Sequence, residues 1–144
     1  MNKRALPFVL LLLLGIAPAF SAVRVSGDLG GQIGEYLAKY KAIRVSGEQV
    51  EIDGVCASAC TLLLGTIPHN RICVTPQAIL EFHGAWDPTP SGGQVVSSAG
   101  NHILWSTYPP EIRAWITRHG GLGTQIIYLR GPQLLALYPS CGRP

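Results

Sequence analysis

The sequence predicts a single domain of the α/β class. Short runs that alternate apolar and polar residues, as strands do, are separated by segments whose apolar residues recur every three or four positions, as in helices. Strands that alternate with helices predict βαβ units, a parallel sheet and right-handed crossovers. Ligands bind such sheets at the carboxyl ends of the strands. Three features follow predicted strands: Gly30-Gly31, Ser58 and His83.

The first 22 residues have the pattern of a secretory signal peptide. Lys3 and Arg4 precede an apolar run over 5–17 that is too short to span a bilayer comfortably, and small residues follow it. We therefore predict a signal peptide over 1–22 and one domain over 23–144, in a periplasmic or secreted protein with no stable membrane insertion after cleavage. Cleavage lowers the formal charge from +3 to about +1, so nucleic acid is not an expected partner.

The first half of the mature chain predicts two strands, each followed by a helix. A strand over 23–26 ends in the glycine-rich segment 27–31, and the next helix carries one apolar stripe and stops at Gly47. A second strand over 50–53 precedes a run over 57–65 that is apolar on nearly all sides. This run predicts a buried helix rather than a surface one.

The second half predicts further strands and helices around one exposed loop. In order these are strands over 71–75 and 78–83, a loop over 84–93, helices over about 94–107 and 109–120, a weak strand over 126–129 and a short helix or turn over 132–137. Alternation along the second of these strands places Ile79, Glu81 and His83 on one face. His83 therefore ends a strand.

Four cysteines in an exported chain predict disulfides, because the chain meets an oxidising compartment. They are Cys56, Cys60, Cys73 and Cys141. Three pairings are possible, and the spacing does not choose among them. A zinc site is the alternative, but only Cys56 and Cys60 are closely spaced and no second such pair completes a zinc pattern. We expect no metal and no other cofactor.

Ser58 lies where a strand-like run breaks at Gly54 and the buried helix begins. A helix N-terminus offers free backbone N–H groups and a favourable field for developing negative charge, which suits a nucleophile. The same position is also that of an ordinary helix N-cap. Both interpretations of Ser58 stay open at this point.

Four features occur in the order found in one protein family. They are Gly30-Gly31, Ser58, Arg71-Ile72-Cys73 and Phe82-His83. In this order they resemble the Clp protease proteolytic subunit and its crotonase-like relatives, including small periplasmic proteins with a Cys-x-Ser-Ala-Cys stretch. The separations from Gly31 to Ser58 and from Ser58 to His83, 27 and 25 residues, are close to the family's pattern. The resemblance covers nearly the whole mature chain.

The resemblance implies a fold, an activity and a mode of assembly. The fold would be a crotonase/Clp-like spiral of βαβ units with a mainly parallel sheet, trimmed at its N-terminus. The activity would be that of a peptidase-like serine hydrolase acting on a peptide or protein. Ser58 would be the nucleophile and His83 its general base, with the backbone N–H groups of Gly30 and Gly31 as the oxyanion hole. Relatives assemble as rings, so a homo-oligomer is expected.

The sequence departs from the family at two points. Ile126 stands where the family has its third catalytic residue, an aspartate, and Glu81 or Glu111 is a candidate substitute. Asp28-Leu29 replaces the serine-proline that usually precedes the double glycine, which brings a carboxylate near the predicted oxyanion hole. The alternative function is therefore a catalytically inactive periplasmic binding or assembly module that keeps the fold.

Overall fold

The computed structural model describes residues 21–142. The predicted signal peptide lies outside these residues, apart from its last two positions. The strands are β1 (Ala22–Val25), β2 (Gln49–Ile52), β3 (Val55–Ala57), β4 (Ile72–Val74), β5 (Ile79–Phe82), β6 (Trp86–Pro88), β7 (Gln94–Val96) and β8 (Ile127–Arg130). The α-helices are α1 (Ile33–Ser46), α2 (Leu63–Thr66), α3 (Ser98–Thr107), α4 (Pro110–Arg118) and α5 (Gly131–Leu135). Short 3₁₀ helices cover Ser58–Leu62 and His69–Arg71.

Three small sheets make the fold mixed α/β, as predicted, and only partly parallel. The first sheet has the order β1-β2-β4 with parallel pairing throughout, and the second has the order β3-β5-β8. In the second sheet β3 is parallel to β5 but β8 is antiparallel to it. Strands β6 and β7 form an antiparallel hairpin. The expectation of a mainly parallel sheet is therefore met by β1 to β5 and not by the later strands.

The core lies between the sheets and the helices. Its largest fully buried side chains are Tyr40, Ile52, Leu62, Leu63, Ile72, Leu80, Phe82, Tyr108, Ile112, Ile116, Leu129 and Tyr138. The segment from Ser58 to Leu64 is buried almost throughout, as its continuous apolar sequence predicts. Leu80 and Phe82 on β5 are buried while Ile79 and Glu81 are half-buried, which confirms the predicted alternation of faces.

Three local predictions need correction. Residues Trp86–Pro88, inside the predicted loop over 84–93, form β6, because they pair with β7. Residues Val55–Ala57 form a strand rather than the approach to a helix, because they pair with β5 in parallel. Residues Gln94–Val96 form β7 rather than the first turn of a helix. Helix α3 begins only after Ser97, whose Oγ accepts a hydrogen bond from the Gly100 N–H at 3.2 Å and so provides the N-cap.

The cysteines form two disulfides, Cys56–Cys60 and Cys73–Cys141. The structure thus decides the pairing that the sequence left open. The second bond ties β4 to the C-terminal segment, beside a short parallel contact between Val74 and Ser140. Disulfides are typical of proteins that fold in oxidising compartments. Among residues 21–142, no helix is long and apolar enough to cross a membrane.

Candidate active site

A cleft of about 810 Å³ contains the four residues predicted to be the nucleophile, the general base and the oxyanion hole. Gly30, Gly31, Ser58 and His83 all line it. They follow different strands: the glycines come after β1, Ser58 directly after β3 and His83 directly after β5. Strands β3 and β5 are parallel neighbours, so their carboxyl ends lie at the same edge of the sheet.

The glycine-rich segment 27–31, called the glycine loop below, reaches this edge by pairing with β3. The Asp28 N–H donates to Val55 O at 2.9 Å, and the Ala57 N–H donates to Asp28 O at 2.8 Å. Gly30 has a φ of 84°. A Cβ at this position would lie 2.6 Å from Ala57 O and 2.8 Å from Ser58 Cβ. Only glycine therefore fits where the loop packs on the turn that carries Ser58.

Ser58 has an unusual backbone conformation. Its φ is 56°, and no other non-glycine residue in 21–142 has a positive φ. A left-handed conformation costs a non-glycine residue on the order of 1–3 kcal/mol, and such strain clusters at active sites. A sharp turn between a strand and a helix is also the backbone geometry that exposes the nucleophile of α/β-hydrolases. The backbone of Ser58 is thus compatible with a nucleophile.

The N-cap interpretation of Ser58 does not fit the structure. The N-cap residue of the 3₁₀ helix is Ala57, and no side chain caps this helix. Within the described residues, Ser58 Oγ makes no hydrogen bond, whereas the Ser58 carbonyl accepts one from Thr61 Oγ1 at 2.6 Å. The Ser58 hydroxyl is therefore free to interact with a ligand in the cleft.

The segment around Ser58 is anchored in the core by polar contacts and a disulfide. Tyr40 donates from its hydroxyl to Cys60 O at 2.9 Å. Thr61 Oγ1 lies 2.7 Å from the buried Tyr108 hydroxyl, and burial raises the pKa of Tyr108 to about 12. The Cys56–Cys60 disulfide encloses Ser58. These contacts fix the backbone on both sides of the hydroxyl.

Asp28 accepts a hydrogen bond from one of the two backbone N–H groups predicted to form the oxyanion hole. The Gly30 N–H donates to Asp28 Oδ1 at 3.0 Å, and the Tyr36 hydroxyl donates to the same oxygen. Lys39 Nζ lies 3.4 Å from Asp28 Oδ2. Partial burial favours a higher pKa for Asp28, but the hydrogen bonds from Tyr36 and Gly30 and the charge of Lys39 outweigh it, so that the pKa is lowered. Burial and the bond to Asp28 raise the pKa of Tyr36 to about 12.

Two other backbone N–H groups are candidate oxyanion donors, one in the cleft and one directly after Ser58 in the chain. The Gly31 N–H makes no hydrogen bond within residues 21–142, and Gly31 lines the cleft. The Ala59 N–H is at the start of the 3₁₀ helix, where no intrahelical acceptor exists, and it lies 3.0 Å from the position of a Cβ on Gly30. Ala59 is buried and is not among the residues that line the cleft. The residue after a nucleophile at a helix start is a typical oxyanion donor, a signal that the sequence analysis did not use.

The hydrogen bond of His83 defines its tautomer. His83 Nδ1 lies 2.8 Å from Gly84 O. A carbonyl oxygen only accepts, so Nδ1 carries the proton and Nε2 of the neutral ring has a free lone pair. An acid behind a catalytic histidine has the same orienting effect. Ser58 and His83 share the cleft but are not hydrogen-bonded to each other among the described contacts.

Among the described contacts no carboxylate hydrogen-bonds to His83, whose Nδ1 is paired with Gly84 O. Ile126 and His83 both line a second cavity of about 460 Å³, whose lining contains no acidic residue. Glu81 and Glu111 line neither this cavity nor the larger cleft. The acidic residues of the larger cleft are Glu35 and Asp87, which the sequence did not single out.

One group of potential metal ligands occurs in residues 21–142, away from the cleft. It consists of Glu51, Cys73 and Cys141. Both sulfurs belong to a disulfide, and metal binding requires thiolates. The residues of this group therefore do not fit a metal ion in the oxidised protein.

No model of a known protein family matches the chain, and no curated protein matches it significantly.

Proposed function

We propose that this chain is an exported serine hydrolase, peptidase-like in chemistry, with a Clp/crotonase-like fold. The observation that carries the proposal is the convergence of Gly30, Gly31, Ser58 and His83 on one cleft. The left-handed backbone of Ser58 and its unbonded hydroxyl support it. The two disulfides are consistent with an oxidising compartment. Self-association, as in ring-forming relatives, belongs to the same proposal.

The proposed reaction begins with attack of Ser58 Oγ on a substrate carbonyl. His83 Nε2 accepts the hydroxyl proton and returns it to the leaving group, while Gly84 O keeps the proton of the ring on Nδ1. The N–H groups of Gly31 and Ala59 stabilise the tetrahedral oxyanion. Removing one such donor costs an enzyme on the order of 3 kcal/mol of transition-state stabilisation. The Nε2–Oγ hydrogen bond forms when substrate binds.

A second function, a binding module that has lost catalysis, is favoured by two observations. The Gly30 N–H, which the family resemblance assigns to the oxyanion hole, donates its hydrogen bond to Asp28 instead. No carboxylate of the described residues hydrogen-bonds to His83, and Ile126 lines a cavity that His83 also lines. A module of this kind would bind peptides in the cleft without cleaving them.

Labelling by a fluorophosphonate probe distinguishes the two functions. Mature oxidised protein is compared with Ser58→Ala and with the control Ser97→Ala, since Ser97 is another serine that lines the cleft. We expect the probe to label the wild type and Ser97→Ala but not Ser58→Ala. Equal labelling of the wild type and Ser58→Ala, or labelling of neither, would contradict the hydrolase and favour the binding module.

A further inference from the structure

The Cys56–Cys60 disulfide closes a very short loop with Ser58 at its centre. The two cysteines are four residues apart with a Cα–Cα distance of 5.3 Å. Both side chains are fully buried. The bond joins the last part of β3 to the 3₁₀ helix, so it spans the point at which the chain changes from strand to helix.

The disulfide encloses Ser58, the only non-glycine residue in 21–142 with a left-handed backbone. A non-glycine residue stays in the left-handed region only when its surroundings over-determine it. The neighbours of Ser58 are Ala57 and Ala59, whose side chains are small and apolar, so neither provides a polar contact that would hold the turn. Non-covalent contacts also hold the turn: the glycine loop packs on it, Thr61 donates to Ser58 O and Tyr40 donates to Cys60 O. Among the described contacts of the turn, only the disulfide joins both sides of Ser58 by a covalent bond.

We propose that the Cys56–Cys60 disulfide is the positioning element of Ser58, and that the hydroxyl becomes reactive only when this bond has formed. This inference rests on the proposed function. On formation, the two thiols lose two electrons and two protons to an oxidising disulfide, which leaves as two thiols. A hydrolase built in this way is inactive while reduced before export and gains its nucleophile in the oxidising compartment.

The test removes each disulfide in turn. Cys56→Ala/Cys60→Ala is compared with Cys73→Ala/Cys141→Ala, which removes the bond that does not enclose Ser58. Fluorophosphonate labelling is measured at a temperature at which each variant is folded. The labelling rate is followed as a function of probe concentration, which gives the affinity for the probe and the rate constant of bond formation separately. We expect this rate constant to fall by about 10²-fold in the first variant, because a displacement of the reacting hydroxyl by about 1 Å has an effect of that size. The affinity for the probe should not change. We expect the control to keep the wild-type rate constant.

A second measurement separates this inference from the proposed function. The backbone conformation of Ser58 is read by NMR from its amide–Hα coupling and carbon shifts. A left-handed Ser58 in the wild type that is lost in Cys56→Ala/Cys60→Ala supports positioning by the disulfide, even if no protein is labelled. A variant that keeps the left-handed conformation or the wild-type rate constant overturns it. Cys56→Val/Cys60→Ala, which refills buried volume, replaces the alanine pair if that pair does not fold.

Discussion

The two disulfides of this chain differ in where they lie and in how much chain they enclose. Cys56–Cys60 spans four positions inside the core, beside the cleft, whereas Cys73–Cys141 spans 68 positions and ties β4 to the C-terminal segment. In the chain-entropy account, a bond restricts the unfolded chain more when it closes a longer loop, by about 2 kcal/mol for the short loop and about 4 kcal/mol for the long one. The comparison indicates that the long bond contributes more to stability, and it is consistent with the proposed role of the short bond in positioning Ser58.

The largest predicted effect is on stability. We expect Cys73→Ala/Cys141→Ala to lower the free energy of unfolding by about 4 kcal/mol and Cys56→Ala/Cys60→Ala by about 2 kcal/mol. Chemical denaturation of both variants and the wild type measures the two values. Because Cys56 and Cys60 are fully buried, alanine also leaves a cavity there, and Cys56→Val/Cys60→Ala is measured as the volume-refilled control. An equal or larger loss for this control than for Cys73→Ala/Cys141→Ala would contradict the division of roles between the two bonds.

The next largest effect concerns the glycine loop that packs on the Ser58 turn. Gly30 and Gly47 both have left-handed backbones, with φ values of 84° and 82°. A Cβ at Gly30 meets the backbone of Ala57, whereas a Cβ at Gly47 meets nothing within 4 Å. We expect Gly47→Ala to cost about 1–2 kcal/mol of stability from backbone strain.

Gly30→Ala adds the cost of the close contact to the same strain. We expect it to destabilise the fold by about 1–3 kcal/mol more than Gly47→Ala does, because the added methyl overpacks a closed site. It should also slow fluorophosphonate labelling, while Gly47→Ala should not. Thermal or chemical unfolding and the labelling rate check the pair, and similar results for the two variants would show that the loop does not pack tightly on the turn.

The smallest effect concerns the hydrogen bond between Tyr36 and Asp28. We expect Tyr36→Phe to cost about 1 kcal/mol and Tyr128→Phe, at a ring that is 50% exposed, to cost less. Because the pKa of Asp28 is lowered in the folded protein, its ionised form adds stability that is complete above the ordinary value of about 3.9. This contribution is lost as the pH falls through the lower folded pKa.

Denaturation of the wild type and Tyr36→Phe between neutral and acidic pH checks this expectation. The difference in stability between the two proteins should shrink as Asp28 becomes protonated. A difference that stays constant down to the lowest pH would show that the Tyr36 hydroxyl does not act through the Asp28 carboxylate.

The parts of the fold that depend on local sequence were predictable. Helix α1 follows from an apolar stripe and from Gly47, which adopts the left-handed conformation that ends the helix. The two faces of β5 follow from strict alternation. The sequence predicted a strand over 78–83 that ends at His83, and the strand observed, Ile79–Phe82, ends one residue earlier. Because parallel strands present their carboxyl ends at one edge, the sequence also predicted that Ser58 and His83 would lie together.

The parts that depend on distant contacts were not predictable. Strand β3 has three residues, which is too short for alternation to be visible, and it exists because β5 pairs with it. The antiparallel direction of β8 is likewise set by its pairing with β5. The positive φ of Ser58 and the partner of Cys56 depend on how the turn packs. The sequence placed the Asp28 carboxylate near the predicted oxyanion hole, but its hydrogen bond from the Gly30 N–H depends on how the loop folds.

The central claim is that Ser58 is a nucleophile activated by His83. It is tested most directly by mass-spectrometric mapping of the fluorophosphonate adduct in the wild type, together with its rate of formation in wild type and His83→Gln. We predict that the adduct is on Ser58 alone and that His83→Gln slows its formation by about 10²–10⁴-fold, the usual contribution of a general base. An adduct on another serine, or a rate that does not depend on His83, would contradict the claim.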